Sequence, residues 1–180
     1  MSLPNKDNTQ LLKDEKDHKI KCQIKKDKNT FNPWINLALL GASKTGHLEI
    51  AQLLVAEGAN VNVACKDYGK TALMYASEEG HFEIAEFLVN NGADVNAESK
   101  FPDWKNPMLL NRQSHLMIAI RNGHLEIAQL LVERGANVNA ACKDDGMTAL
   151  MWAALDGHLE IAQLLIEKGA NVNAARTDDG

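Results

Sequence analysis

The sequence predicts an all-α solenoid, a stack of four helix-turn-helix units with finger loops between them, behind a charged N-terminal tail. Three observations predict it. Four stretches align without gaps: GHLEIAQLLVAEGANVN from Gly46, GHFEIAEFLVNNGADVN from Gly80, GHLEIAQLLVERGANVN from Gly123 and GHLEIAQLLIEKGANVN from Gly157. Their Gly-His pairs lie 34, 43 and 34 residues apart, and self-similarity at a period of roughly 20 to 50 residues marks units that bury their apolar faces only against their neighbours. Within a unit such as Gly69 to Ala97, Leu73, Ala76, Ile84, Ala85, Leu88 and Val89 recur at three- and four-residue spacings, which is the helical period.

Residues 1–30 form the tail. They carry eight Lys against five acids, a local balance of +3, whereas residues 31–180 carry eleven Lys or Arg against nineteen acids, a balance of −8. Leu11, Leu12, Ile20 and Ile24 are too few apolar residues to build a core, so the segment reads as a flexible, solvated tail. A basic segment can also touch nucleic acid or an anionic membrane, but the interleaved acids and the lack of Arg and aromatic residues argue against both.

The units then follow as 31–64, 65–98, 99–141 and 142–175, and residues 176–180 repeat the opening of a unit, which predicts further repeats or another domain beyond Gly180. In the first unit, NPWINLALLGASKTGH offers Asn32 as helix cap with Pro33 at the first helical position, and Phe31 and Trp34 as cover for the end of the stack. In the second, Thr71 caps the first helix, Gly80 breaks it, and Gly92 ends the second helix where a left-handed residue is needed. The third unit carries an insertion. Twenty-two residues separate Gly92 from Ser114, where the regular copies have thirteen between the same register positions, Gly58 to Thr71 and Gly135 to Thr148 if the final residue is counted, so nine residues are added in one finger. KFPDWKNPML brings Phe101, Trp104 and Met108, the composition of a binding hot spot. The competing expectation is that Asn106 and Pro107 start an extended first helix that folds Leu109 and Leu110 onto the stack.

On these residues the chain resembles the ankyrin-repeat family. GKTALMYASEEGHFEIAEFLVNNGADVNA is similar to the family pattern G-x-T-P-L-H-x-A-A-x-x-G-H, a second helix and then G-A-D-V-N-A. It departs from that pattern at two first-helix positions: Ala38, Ala72, His115 and Ala149 replace the Pro, and Leu40, Met74, Met117 and Met151 replace the His. The resemblance implies a hydrogen-bond network through that His, and its loss predicts packing alone in its place. The regular fingers, VNVACKDYG and VNAACKDDG, also hold one residue more than the family's usual period.

Nothing in the sequence argues for catalysis, a metal or a cofactor. His47, His81, His124 and His158 are one repeat position, one per unit, whereas a zinc site needs ligands converging at about 2 Å from one ion. The glycines are turn residues of the same register. The Met column reads as packing, and Asn62, Asn96, Asn139 and Asn173 read as turn-stiffening amides. The family resemblance adds one modification: an asparaginyl hydroxylase that favours Leu, five residues, an acid, an apolar residue and Asn, which Leu88 to Asn96 satisfies, making Asn96 the candidate.

The same resemblance implies a protein-interaction module, a scaffold or adaptor that binds on the concave surface of fingers and first helices. The residues that vary between copies there are Asp67, Tyr68, Lys70, Glu78 and Glu79, then Arg112, Arg121 and Asn122, then Asp144, Asp145, Met147, Leu155 and Asp156. An acidic face with apolar points suits a protein with a basic rim and an apolar anchor and repels nucleic acid phosphates. The rival expectation is a regulatory or targeting segment of a larger enzyme, or of a secreted bacterial effector, with the catalytic part elsewhere.

No apolar run nears the roughly 18 residues of a membrane span, and MSLPNKDNTQ holds no signal-peptide core. Cys65 and Cys142 recur at one repeat position, two units apart, beyond the ~7 Å Cα reach of a disulfide. Free thiols predict a reducing compartment, the cytoplasm, or the host-cell cytosol for a secreted effector, and the chain is expected to be a monomer.

Overall fold

The computed structural model describes residues 33–66, 69–99, 114–142 and 146–175. Among them the chain forms eight helices in four pairs: α1 (Pro33–Thr45) and α2 (Leu48–Ala56), α3 (Ala72–Glu79) and α4 (Phe82–Asn90), α5 (His115–Arg121) and α6 (Leu125–Glu133), α7 (Ala149–Leu155) and α8 (Leu159–Glu167). First helices pack on first helices and second on second, each pair touching its sequence neighbours. The first helices meet more closely than the second do, and a per-unit difference of that kind curves a solenoid toward its first-helix side.

Each first helix after α1 starts the same way. Thr71, Ser114 and Thr148 have extended backbones, and their hydroxyls accept hydrogen bonds from the N–H groups of Met74, Met117 and Met151 at 3.2, 3.3 and 3.3 Å. A cap of this type stabilises a helix by about 1 kcal/mol. Helix α1 has no such hydroxyl, because Leu37 stands there; it begins instead at Pro33 and runs 13 residues against 7 or 8 for the others. Trp34 in its first turn is mostly exposed and covers less of the stack than its size predicts, and Phe31 lies outside the described residues.

The caps also settle the form of the third unit's first helix. Ser114, at φ −77° and ψ 162°, interrupts any helix coming from upstream, so the extended helix from Asn106 into HLMIAI is not formed. A backbone bridge pairs Glu98 with Ser114 just as Ala64 pairs with Thr71 and Ala141 with Thr148. Fifteen residues lie between the bridge partners in the third finger and six in each of the others. The base of the finger is therefore the regular one despite the insertion. Residues 100–113 lie outside the described part.

One continuous core runs through the stack. Ala42, Ala76, Ala119 and Ala153 occupy one buried column on the first helices, and Ala51, Ala85 and Ala128 another on the second; with no side chain beyond Cβ they let adjacent helices approach. The methionine positions do more than pack. The Thr71 N–H donates to Met74 Sδ at 3.4 Å, and the Cys142 thiol donates to Met117 Sδ at 3.7 Å. Sulfur thus accepts part of the polar contact that the missing histidine was expected to leave unreplaced. Neither Cys65 nor Cys142 is disulfide-bonded.

Two kinds of polar joint lock unit to unit. His81 Nε2 donates to the carbonyl of Lys44 at 3.2 Å, and His124 Nε2 to that of Glu78 at 3.2 Å, each reaching into the preceding unit. The rings lie flat against glycines of positive φ: a Cβ placed on Gly80 would come within 2.6 Å of His124 Cε1, and one on Gly123 within 2.8 Å of His158 Cε1. Gly-His is thus one joint read across two units. On the other side of the stack, Asn62 donates through Nδ2 to the Gly92 carbonyl and accepts at Oδ1 from the Asp94 N–H; Asn96 does the same with Gly135 and Asn137, and Asn139 with Gly169 and Asn171. These amides clamp successive units together rather than only stiffening their own turns. The turns are held by Asn60, Asp94, Asn137 and Asn171, whose Oδ1 atoms accept from the N–H two residues on.

Candidate interaction surface

The first-helix side carries the residues that differ between copies. One register column reads Gly41, Tyr75, Ile118, Trp152, and the column one turn on reads Lys44, Glu78, Arg121, Leu155. They interlock along the stack. Lys44 and Lys70 each place an ammonium group 5.8 Å from the centroid of the Tyr75 ring, and the Arg121 guanidinium lies 4.5 Å from that of Trp152. Lys70 Nζ also pairs with Glu78 Oε2 at 2.7 Å, both side chains being one-fifth exposed. Partial burial of this kind stiffens the pair and holds its charges in place.

Of the residues that the sequence assigns to this surface, Glu79, Leu155 and Asp156 are exposed, Leu155 by 68%. Arg121 is half-buried on its indole, and Lys70 and Glu78 neutralise each other, so the described part of the face is less acidic than its composition predicts. Met147 departs from its assignment: it is 7% exposed and belongs to the core, because the finger base, where its carbonyl accepts from the Cys142 N–H, turns it inward. Asp67, Tyr68, Phe101, Trp104, Met108, Arg112, Asp144 and Asp145 lie outside the described residues. Sequence reasoning passed over Tyr75, Trp152 and Lys44. The signal was available, since Gly, Tyr, Ile and Trp at one register position is the variation that marks a surface free of the repeat's own packing demands.

Next to this face, at the joint between the second and third units, His115 is fully buried where its counterparts are alanines. Its Nε2 lies 2.9 Å from the Thr71 hydroxyl. That oxygen also accepts the Met74 N–H. Burial pushes the pKa down to about 4, against the charge of Asp94 and the nearby carbonyls of Val95 and Ala97, which favour the charged ring. Those carbonyls do not complete good hydrogen-bond geometry, and Nδ1 has no partner of that quality among the described residues. A neutral imidazole here ties the cap of α3 to the start of α5, beside the finger with the insertion.

Asn96, the candidate for hydroxylation, is exposed, but both polar atoms of its amide are held by the third unit. Among the described residues no three His, Cys, Asp or Glu side chains gather where they could hold a metal ion. None of the described helices is long and apolar enough to cross a membrane. The family model of ankyrin repeats (3 copies) matches residues 7–99 and 100–176, its first match beginning inside the segment read as a tail. No curated protein matches the chain.

Proposed function

Since the chain belongs to the ankyrin-repeat family, whose repeats are generally protein-protein interaction modules, we propose that it captures another protein on its first-helix and finger face, with the third finger as the anchor. One observation carries this reading: the Glu98–Ser114 bridge keeps that finger's base in the regular register while nine additional residues, among them Phe101, Trp104 and Met108, are spent beyond it. Residues added beyond a regular base are, in this reading, the ones that serve a partner. In the sequence, the fingers and first-helix ends of the neighbouring units hold Asp67, Glu79, Asp144, Asp145 and Asp156, acids that suit a partner with a basic rim and an apolar group for the anchor. In this reading the role is binding without chemistry, and three of the histidines, His81, His124 and His158, serve as joints of the stack against Gly46, Gly80 and Gly123.

The experiment replaces Phe101 and Trp104 by Ala together and compares capture of proteins from lysate with that of the parent chain. Unchanged folding stability and lost capture are expected, each aromatic anchor being worth roughly 2 kcal/mol or more. A fall of several kcal/mol in stability with capture intact would refute the reading. Hydroxylation of Asn96 is tested separately, by mass spectrometry of its peptide after incubation with an asparaginyl hydroxylase; an unmodified peptide removes it.

A further inference from the structure

The joint between the second and third units is built unlike the other two. At the register of His115 the remaining units carry Ala38, Ala72 and Ala149, so at this joint an imidazole enters the first-helix side of the stack where the others have a methyl group. It is fully buried, with Nε2 2.9 Å from the hydroxyl of Thr71, the cap of α3, and it stands directly after Ser114, the cap of α5. Both helix starts therefore meet at one ring. The second-helix side of the same joint is held by other groups. Arg134 Nη1 donates to Asn90 Oδ1 at 2.7 Å, and Asn96 grips the carbonyl of Gly135 and the N–H of Asn137.

The surroundings of the ring suit its neutral form. A charged imidazole has two N–H groups and needs an acceptor for each. Nε2 faces a hydroxyl that also receives the Met74 N–H, and Nδ1 has no well-placed acceptor among the described residues, although the carbonyls of Val95 and Ala97 are near. Nearby charge does not make up the difference. From the turn after α4, Asp94 favours the charged ring, but burial outweighs it. From α3, Glu78 is paired with Lys70 at 2.7 Å, and Glu79 is exposed at the last position of the helix. Glu126 and Glu133 of α6 are exposed, the His124 ring before them is turned to the Glu78 carbonyl, and α7 has no titratable side chain. Arg121 of α5 itself lies over Trp152, and Glu98 takes part in the finger base through its backbone bridge to Ser114. A ring that gains a proton here is driven out of its site.

We propose that this joint is a pH-operated hinge: protonation of His115 parts α3 from α5 on the first-helix side, with the second-helix contacts as the pivot, and loosens the base of the third finger. Each unit keeps its own helix pair, because the first unit still covers the second and the fourth still covers the third. The finger follows because the residues that surround the ring, Asp94 to Ala97, lead straight into Glu98, the partner of Ser114. A lower pH thereby straightens the row at its middle, between two pairs of units that move as bodies.

The test is amide hydrogen exchange of the full chain at pH 7 and pH 5, each rate being referred to that of the unstructured amide at the same pH. Relative to that reference, the first turns of α3 and α5 and the segment 94–98 are expected to exchange about twentyfold faster at pH 5, the factor by which an opened ring of ordinary pKa, about 6.5, takes up protons ahead of the buried one at about 4. Protection in α1, α2, α7 and α8 is expected to hold. In His115→Ala, which installs the residue of the other units, and in His115→Gln, which keeps an amide within reach of Thr71, the pH response of those segments is expected to vanish; circular dichroism at pH 7 checks that both fold. A parent with the same protection at both pH values overturns the proposal. So does a loss spread evenly over all four units, which would mean a stack weakened as a whole, or a local response that survives in either variant, which would belong to His124 at the same joint.

Discussion

His115 makes the stability of this molecule depend on pH in a way its repeats alone would not. Its folded pKa lies near 4, below the ordinary value of about 6.5 in an unfolded chain. The unfolded state therefore takes up the proton first as pH falls. Stability from the neutral ring is complete above about pH 6.5, is lost between there and pH 4, and falls no further once the folded ring is protonated; the full loss is about 3 kcal/mol. His115→Pro restores a residue suited to the first turn, and urea titrations of parent and variant at pH 7 and pH 4.5 should show the parent losing more. Equal losses would place the ring outside the buried site. Glycine supplies a second comparison. Ala at Gly157 meets only a strained backbone, a cost of about 1 kcal/mol, but Ala at Gly80 must also displace the His124 ring and its bond to Glu78, so roughly double that loss is expected from denaturant midpoints. The identity of both residues was plain in the sequence. Their pairing across units was not, because a local reading gives His124 a partner in its own turn, while the stack gives it one 46 residues away.

At the scale of the element, the helices were legible because each signal rests on neighbours within four residues: Thr71 as cap, Gly80 as stop, Pro33 as start; the caps Ser114 and Thr148 occupy the register position of Thr71. What the sequence left open locally was whether a longer helix runs into α5 from upstream. Asn106-Pro107 is a good helix start, but Ser114 is a better one and is tied to Glu98 by the finger's own bridge. The loop after each second helix gives the clearest element-level experiment. Asn96→Ala removes two hydrogen bonds to the third unit, whereas Asn173→Ala removes no bond to another unit among the described residues. A loss of about 2 kcal/mol is expected for the first and close to none for the second, read from equilibrium unfolding. Comparable losses would mean that these amides act within their own turns. The surface columns were only partly legible: Glu79 and Leu155 stand outside as expected, but the charge of Glu78 is cancelled by Lys70, eight residues earlier in the chain, and folding of the finger decides that.

The whole molecule is a row of units, and its stability is a sum of unit and joint terms. Among the described residues, the second and third units have two joints and the first and fourth have one. Amide hydrogen exchange at low protein concentration should therefore be slowest in α3 to α6 and faster in α7 and α8, which open without unfolding the rest. Uniform exchange across all four units would show that the row unfolds as one block.

A finger whose base closes in the same way over six residues and over fifteen separates two evolutionary pressures. By loop-closure entropy, the longer excursion costs the fold only about 0.8 kcal/mol. The bridge pattern is the same at both lengths, so a change of length beyond Glu98–Ser114 leaves the pairing at the base as it is. The third finger is thus the position at which this scaffold can change length, by descent or by grafting, while its base keeps the regular register and the helices around it keep their sequence.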